Sequence, residues 1–286
     1  MEGPQPDIRT LKQLRDKNHD RFRKAIKESR YDLMGMWYSE IFIFCLLCDY
    51  FECTDIIESG RARGVSTEIL SNYYEGADVT IISIDNRPGS KDAEIAEKEL
   101  SDVKNISLKY GDSTEIIPDI INEQTAVLID GPKGDTALQM GMSLLEDTDV
   151  PFIAIHDLNK DVFHRDLSTL LFNHFIYTCE EELVDAFREY DEPIHRWSEQ
   201  YHVEDSMYGP YLKDGEKSHS YGPTLGLFFN NHSPVNTRIK NNYLDYINTS
   251  ITDLGAEFLK IQRNNGGRIR RGVASFGLQL GKKVIR

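Results

Sequence analysis

TDIIESGRARGVSTEILSNYYEG, residues 54–76, sets the pattern on which the architecture turns. The short β-branched run TDIIESG stops at a glycine and reads as a strand and turn. STEILSNYYEG follows as a helix, with Ser66 or Thr67 near its start and Gly76 after its end. The alternation then repeats. DVTIISIDN is a strand and SKDAEIAEKELSD a helix; ISLKYGDS is a strand and TEIIPDIIN a short helix. TAVLIDGPKG, TALQMGMSLLED and PFIAIHDLN complete the series as strand, helix and strand. Five strands alternating with helices predict a Rossmann-like, doubly wound α/β fold, with a parallel sheet and helices on both faces. In such a sheet ligands sit beyond the carboxyl ends of the strands, so chemistry is expected on the residues that follow each one.

On the amino-terminal side, residues 8–29 form an amphipathic helix: Ile8, Leu11, Leu14, Phe22 and Ile26 recur mostly at threes and fours. A second helix over 36–50 is apolar on nearly all sides and is expected to be buried. After Asn159 the rhythm loosens, with a helix near 163–173 and a strand near 174–179. Residues 185–222, rich in Tyr, His, Asp and Gly, read as a long insertion of the kind that is either functional or disordered. TLGLFFN is a strand and 236–262 a helix. The chain therefore divides into an N-terminal helical extension (1–50), a sheet domain with its insertion (51–232), and a C-terminal helix with a basic tail (233–286).

Composition agrees with a globular chain of 286 residues, 40% hydrophobic and 28% charged. The apolar octet Ile41–Cys48, fenced by Glu40 and Asp49, falls well short of the roughly 20 residues a membrane span needs. No apolar stretch follows the first charges, so no secretory signal is expected. Cys45, Cys48, Cys53 and Cys179 are too few for a disulfide scaffold, which makes a cytoplasmic setting the expectation. Cys45 and Cys48 form C-x-x-C inside an apolar helix, where core packing outweighs metal or redox work.

The net charge of −14 is unevenly spread. Residues 1–30 carry +4 and residues 258–286 carry +8 with no acid, which leaves −26 on the segment between. An acidic body repels a phosphate backbone, so no nucleic-acid partner is expected. The basic ends are expected to pack against the acidic body of their own chain or of a second copy in a homodimer. Contact of the C-terminal tail with an anionic membrane surface is the lesser alternative.

The strand ends supply the candidate residues. Glu58-Ser-Gly60-Arg-Ala-Arg-Gly64-Val-Ser66 has two glycines spaced G-x-x-x-G. Either a tight turn or the close approach of a ligand to the backbone, next to free helix amides, explains them. Asp85 after the second strand can accept from ribose hydroxyls, and Asp112-Ser113 after the third can receive an exocyclic amine; capping of the next helix explains both acids equally well. The fourth and fifth strands end in Asp130-Gly-Pro-Lys133 and His156-Asp157-Leu-Asn159. Two carboxylates side by side suit Mg²⁺ or another divalent cation, with His156 as a third ligand or as a core histidine. Lys133 can act as a base if burial and a nearby cation depress its pKa, or can simply pair with an acid.

These residues resemble the class I S-adenosylmethionine-dependent methyltransferases. They are most similar to metal-dependent O-methyltransferases of the catechol O-methyltransferase type and to related sugar and macrolide enzymes. The likeness covers about 55–160. The pattern E-x-G-x-x-x-G-x-S is met by Glu58, Gly60, Gly64 and Ser66, and the acid after the second strand by Asp85. G-x-S-x-x-(L/I)-I-P is met by Gly111, Ser113, Ile116, Ile117 and Pro118. The metal Asp with a base Lys three places on is met by Asp130 and Lys133, and the second metal Asp by Asp157. Leu158 stands where the family often has Asn, and Pro132 where catechol enzymes have an aromatic gatekeeper.

The resemblance implies an enzyme transferring a methyl group to a hydroxyl of a small molecule or sugar. Gly60, Gly64 and Ser66 would hold the methionine end of the donor, Asp85 its ribose, and Asp112 and Ser113 its adenine side. Glu58 would act at second hand, holding the loop or the donor's amino group. A divalent cation would sit on Asp130, Asp157 and His156, with Lys133 as the base. Two other classes remain open. An NAD-type oxidoreductase would want a third glycine where Ser66 stands. A non-catalytic binding protein would keep only the fold.

Overall fold

The structure is a computed structural model and describes residues 5–30, 35–159, 162–192, 223–231 and 233–248. Two helices lead, α1 (Ile8–Glu28) and α2 (Tyr38–Tyr50). The alternating core follows: β1 (Asp55–Ser59), α3 (Val65–Tyr73), β2 (Thr80–Asp85), α4 (Lys91–Leu100), β3 (Ile106–Tyr110), α5 (Ser113–Ile120), β4 (Thr125–Ile129), α6 (Asp135–Asp147) and β5 (Phe152–Ile155). The last elements are α7 (Phe163–Leu171), β6 (Phe175–Tyr177), α8 (Glu181–Phe187), a 3₁₀ turn (Arg188–Tyr190), β7 (Gly226–Phe229) and α9 (Thr237–Asn248).

The sheet has seven strands in the order β3-β2-β1-β4-β5-β7-β6. β1 to β5 are parallel, as the sequence predicts; β7 runs antiparallel to both β5 and β6. The strand order reverses between β1 and β4, which pair from Asp55↔Thr125 to Ser59↔Ile129. In such a sheet the crevice for a ligand is expected at the carboxyl rim, where the order reverses.

The central strands are apolar on both sides, and successive residues feed two cores. Ile56, Leu128, Ala154 and Leu227 face α1, α2, α3 and α8. Ile57, Val127, Ile129, Ile153 and Phe228 face α5, α6, α7 and α9. This is the period-2 alternation of a sheet covered on both faces. Asp7 caps α1, accepting from Thr10 N–H at 2.7 Å, and Leu11, Phe22, Ala25 and Ile26 form its buried stripe. α2 lies between that stripe and the sheet, which explains why no side of it is polar: Phe42 stacks on Phe22 at 4.2 Å, and Phe44 meets Phe152 of β5 at 5.5 Å. The basic residues of α1 pair with the acidic body, as expected of that end: Lys12 with Glu182, Arg21 with Asp49, Arg23 with Glu189 and Lys24 with Glu75.

The expected insertion begins inside packed structure. Residues 185–187 finish α8, Tyr190 is buried, and the buried Asp191 accepts from Ser39 N–H at 2.9 Å in the first turn of α2. Residues 193–222 and the basic tail beyond 248 lie outside the described residues. All four cysteines are buried free thiols. Among the described residues no helix is long and apolar enough to cross a membrane.

Phe42 is fully buried and its ring contacts Phe22, Tyr73, Phe187 and Tyr190, so it joins α1, α2, α3 and the 3₁₀ turn. Phe42→Ala is expected to cost about 3–5 kcal/mol in urea denaturation. A loss below about 1 kcal/mol, the scale of a conservative core swap, would mean that the N-terminal helices are not part of the cooperative core.

Candidate active site

The rim is assembled by backbone hydrogen bonds that continue past the strands. Asp130 and Gly131 N–H both donate to Ser59 O at 2.8 Å, Gly60 N–H donates to Ile84 O at 2.9 Å, and His156 N–H donates to Ile129 O at 2.9 Å. Gly60 has φ +92, and a Cβ there would lie 2.5 Å from Gly131 N. The close approach that demands this glycine is therefore that of the β4 loop, quite apart from any ligand. Gly64, at φ +78, leaves the same kind of room for Leu100 of α4.

Glu58 is buried, and its carboxylate accepts from the hydroxyls of Ser66, Thr67 and Ser83. Burial pushes its pKa up, while the three hydroxyls pull the other way. The carboxylate thus ties the first turn of α3 to β1 and β2. The Ser66 hydroxyl is committed to Glu58. What α3 offers a ligand are the amides ahead of its first helical bond, Glu68 N–H to Gly64 O at 2.9 Å.

Asp85 is buried and accepts from Ala62 N–H at 3.0 Å and Arg87 N–H at 2.9 Å. Ala62 sits at φ +46, a left-handed conformation that an alanine adopts only when held there. Oδ1 also faces Arg87 Nε at 3.6 Å, while Oδ2 keeps a second lone pair for a ribose hydroxyl. Asp112 is exposed and caps α5, accepting from Thr114 N–H at 2.9 Å and Thr114 Oγ1 at 2.7 Å, which is the capping alternative raised for it. Ser113 is buried beside the β4 loop, its hydroxyl 3.3 Å from Gly131 O. Arg61 was not anticipated. It is 2% exposed, donates to Ser83 O at 2.6 Å and lies over the Tyr110 ring at 4.7 Å, bracing the loop from beneath.

Further along the rim, Asp130, His156 and Asp157 bring ligand atoms within 4.8 Å of one another. Asp157 is at φ +63, so the chain turns sharply after β5 and presents its carboxylate at the rim. Lys133 Nζ lies 2.5 Å from Asp130 Oδ1 and 2.7 Å from Asp157 Oδ2, with its side chain 48% exposed. Of the two alternatives for Lys133, base or partner of an acid, this arrangement shows the ion pair. Burial does work against its charge, but Asp130 and Asp157 outweigh burial and hold the ammonium above the ordinary lysine value. Asp130 is held below the ordinary carboxylate value: burial opposes this, and His156 and Lys133 prevail.

His156 faces a carboxylate at each ring nitrogen. Nδ1 lies 2.6 Å from Asp130 Oδ1 and 3.3 Å from Asp157 Oδ1, and Nε2 lies 3.3 Å from Glu40 Oε2. Burial disfavours its charge, but Glu40 and Asp130 outweigh that and raise its pKa to about 10. Glu40, fully buried in α2, is a neighbour of the cluster to which the sequence does not point. A single acid beside an apolar octet marks a helix boundary as readily as a site. The one available signal is its place three residues after the N-cap Trp37, from whose N–H its carboxylate accepts at 2.9 Å.

No protein-family model matches the sequence, and no curated protein matches it. Among solved structures the chain is similar to the O-methyltransferase TomG from Streptomyces achromogenes in complex with SAM: 16% identity over 66% of this chain and 78% of that one, TM-score 0.38. It is also similar to the SAH-bound methyltransferase PaMTH1 from Podospora anserina: 14% identity over 68% of this chain and 91% of that one, TM-score 0.38.

The raised pKa of His156 has a consequence for stability. A group whose folded pKa lies above its unfolded value stabilises the fold fully below the unfolded value, 6.5, and loses that contribution as pH rises through about 10. With chelator present, the gap in melting temperature between wild type and His156→Gln should be widest below pH 6.5 and should narrow toward pH 10. A gap independent of pH over that window would show that the ring is not held as a cation.

Proposed function

We propose that the chain is an S-adenosylmethionine-dependent O-methyltransferase acting on a hydroxyl of a small molecule or sugar. The observation that carries this reading is the presence of two sets of polar groups along one rim of the sheet. On the β1–β3 side, a glycine loop braced by Asp85 and Glu58 leads into the N-terminus of α3. On the β4–β5 side stand Asp130, Lys133, His156 and Asp157. The first set suits a nucleoside carrying an amino-acid tail, with helix amides for the tail's carboxylate and Asp85 for the ribose. The second suits a hydroxyl that must lose a proton.

In this reading the acceptor oxygen attacks the donor methyl in line. The new C–O bond forms as the C–S bond breaks, the hydroxyl proton passes to Lys133 Nζ, and the donor leaves as S-adenosylhomocysteine. The protein's main contribution is to hold the two reactants in that alignment. Lys133 as it stands is an ammonium between two carboxylates, so it becomes a base only when other positive charge satisfies Asp130 and Asp157.

The donor set fits a divalent ion: two carboxylates and one imidazole nitrogen, close enough to share one centre. When bound, such an ion would supply that positive charge and favour an ionised acceptor oxygen. A nitrogen among oxygens suits Mn²⁺ or a similar transition ion as well as Mg²⁺. Pro132 beside Lys133 in place of an aromatic group favours a sugar or polyol over a flat catechol.

S-adenosylhomocysteine should raise the melting temperature, by the equivalent of about 2.7 kcal/mol at a hundredfold excess over its Kd, while NAD should not. The reverse result would move the chain to the oxidoreductases, and no shift with either would leave a scaffold. Lys133→Ala should slow the single-turnover methyl-transfer rate by about 10²–10⁴. Unchanged turnover on the true acceptor would remove Lys133 from the proton transfer, and activity that survives exhaustive chelation would remove the ion.

A further inference from the structure

We infer that Glu40 is a positioning residue for the rim of β5: it fixes the His156 ring through Nε2, so that Nδ1 faces Asp130 and Asp157. This rests on the methyltransferase reading only for what the cluster is used for; the placement itself is a matter of geometry. α2 is apolar on every side, and a carboxylate buried in such a helix costs several kcal/mol unless it is fully partnered. Capping α2 requires only one acceptor, for Trp37 N–H at 2.9 Å. Glu40 does more. The same oxygen, Oε2, meets His156 Nε2 at 3.3 Å, while Oε1 accepts from Thr224 N–H and from Leu225 N–H at 2.9 Å.

Thr224 in turn holds the chain just beyond His156. Its carbonyl accepts from Leu158 N–H at 2.9 Å, and its hydroxyl accepts from Asp157 N–H at 3.3 Å. Glu40 therefore governs the β5 rim by two routes. It fixes the His156 ring directly, and through Thr224 it steadies the turn in which Asp157 adopts φ +63. An imidazole bonded at one nitrogen only can turn over and present carbon to its neighbours. Bonded at both, it has one orientation. A carboxylate on the far nitrogen of a histidine is the general device by which such a ring is aimed at a ligand or an ion, and its removal typically weakens ion binding about 10–100-fold.

The test uses the full chain with ¹⁵N-labelled histidine, and the His156 ring signals are identified by their loss in His156→Gln. Wild type should show a protonated Nε2 at neutral pH. In Glu40→Gln that signature should give way to a mixture of ring states, and Mn²⁺ binding followed by electron paramagnetic resonance should weaken about 10–100-fold. S-adenosylhomocysteine binding should persist. Glu40→Asp keeps the charge but shortens the reach by one methylene. It should alter the ring signal in the same way, and it serves if the glutamine variant does not fold.

An unprotonated Nε2 in wild type would overturn the inference, and so would an unchanged ring signal in either folded variant. Failure of wild type to bind S-adenosylhomocysteine would overturn the methyltransferase reading instead and leave the ring measurement standing. Failure of wild type to bind Mn²⁺ would remove the ion alone.

Discussion

The site depends on the way the backbone ladder outlasts the strands. A parallel sheet ends with amides that must find acceptors, because an unpaired buried amide costs as much as a lost hydrogen bond. Here the next strand's last carbonyls supply them: Ser59 O takes two amides from the β4 loop, and Ile129 O takes that of His156. The ladder therefore draws Gly60 against Gly131, and it sets Asp130 and His156 at one level on neighbouring strands. Gly60 is indispensable to this arrangement before any ligand arrives, since a side chain there would collide with the backbone of residue 131.

Charge then has to be balanced where the ladder has concentrated it. Glu40, Asp130 and Asp157 converge on a body that already carries a large excess of acid. Lys133, between two carboxylates, and His156, among three, answer them, and this mutual dependence accounts for the opposite shifts of Asp130 and His156. The same logic leaves Lys133 in a form unsuited to taking a proton until its partners are satisfied otherwise. The two sets of groups along the rim differ in kind: one is a scaffold of hydroxyls and amides around Glu58 and Asp85, the other a set of compensated charges.

Much of this was legible in the sequence. Strand–helix alternation gave the five parallel strands, because apolar runs of this length bounded by glycine and acid have few other ways to fold. The residues following each strand were legible for the same reason, since topology alone sends them to one rim. Three things were hidden. The direction of the Lys133 shift depends on distances to two carboxylates that no spacing encodes. Arg61 looks like a loop residue, and only the fold turns it under Tyr110. Glu40 lies more than a hundred residues before His156, and a single acid in an apolar helix gives no periodic signal. Asp112 shows the limit from the other side: a helix-capping acid and a ligand-binding acid look alike as letters.

Asp191 is fastened to Ser39 N–H, and Thr224 and Leu225 to the carboxylate of Glu40, so the chain departs and returns within a single helical turn. Neighbouring anchors hold the exit at Asp191 and the return at Thr224 to one place on the fold. Both ends of the segment 193–222 are thus set by α2, and the turn after β5 takes its position from Glu40 and Thr224 whatever residues stand between.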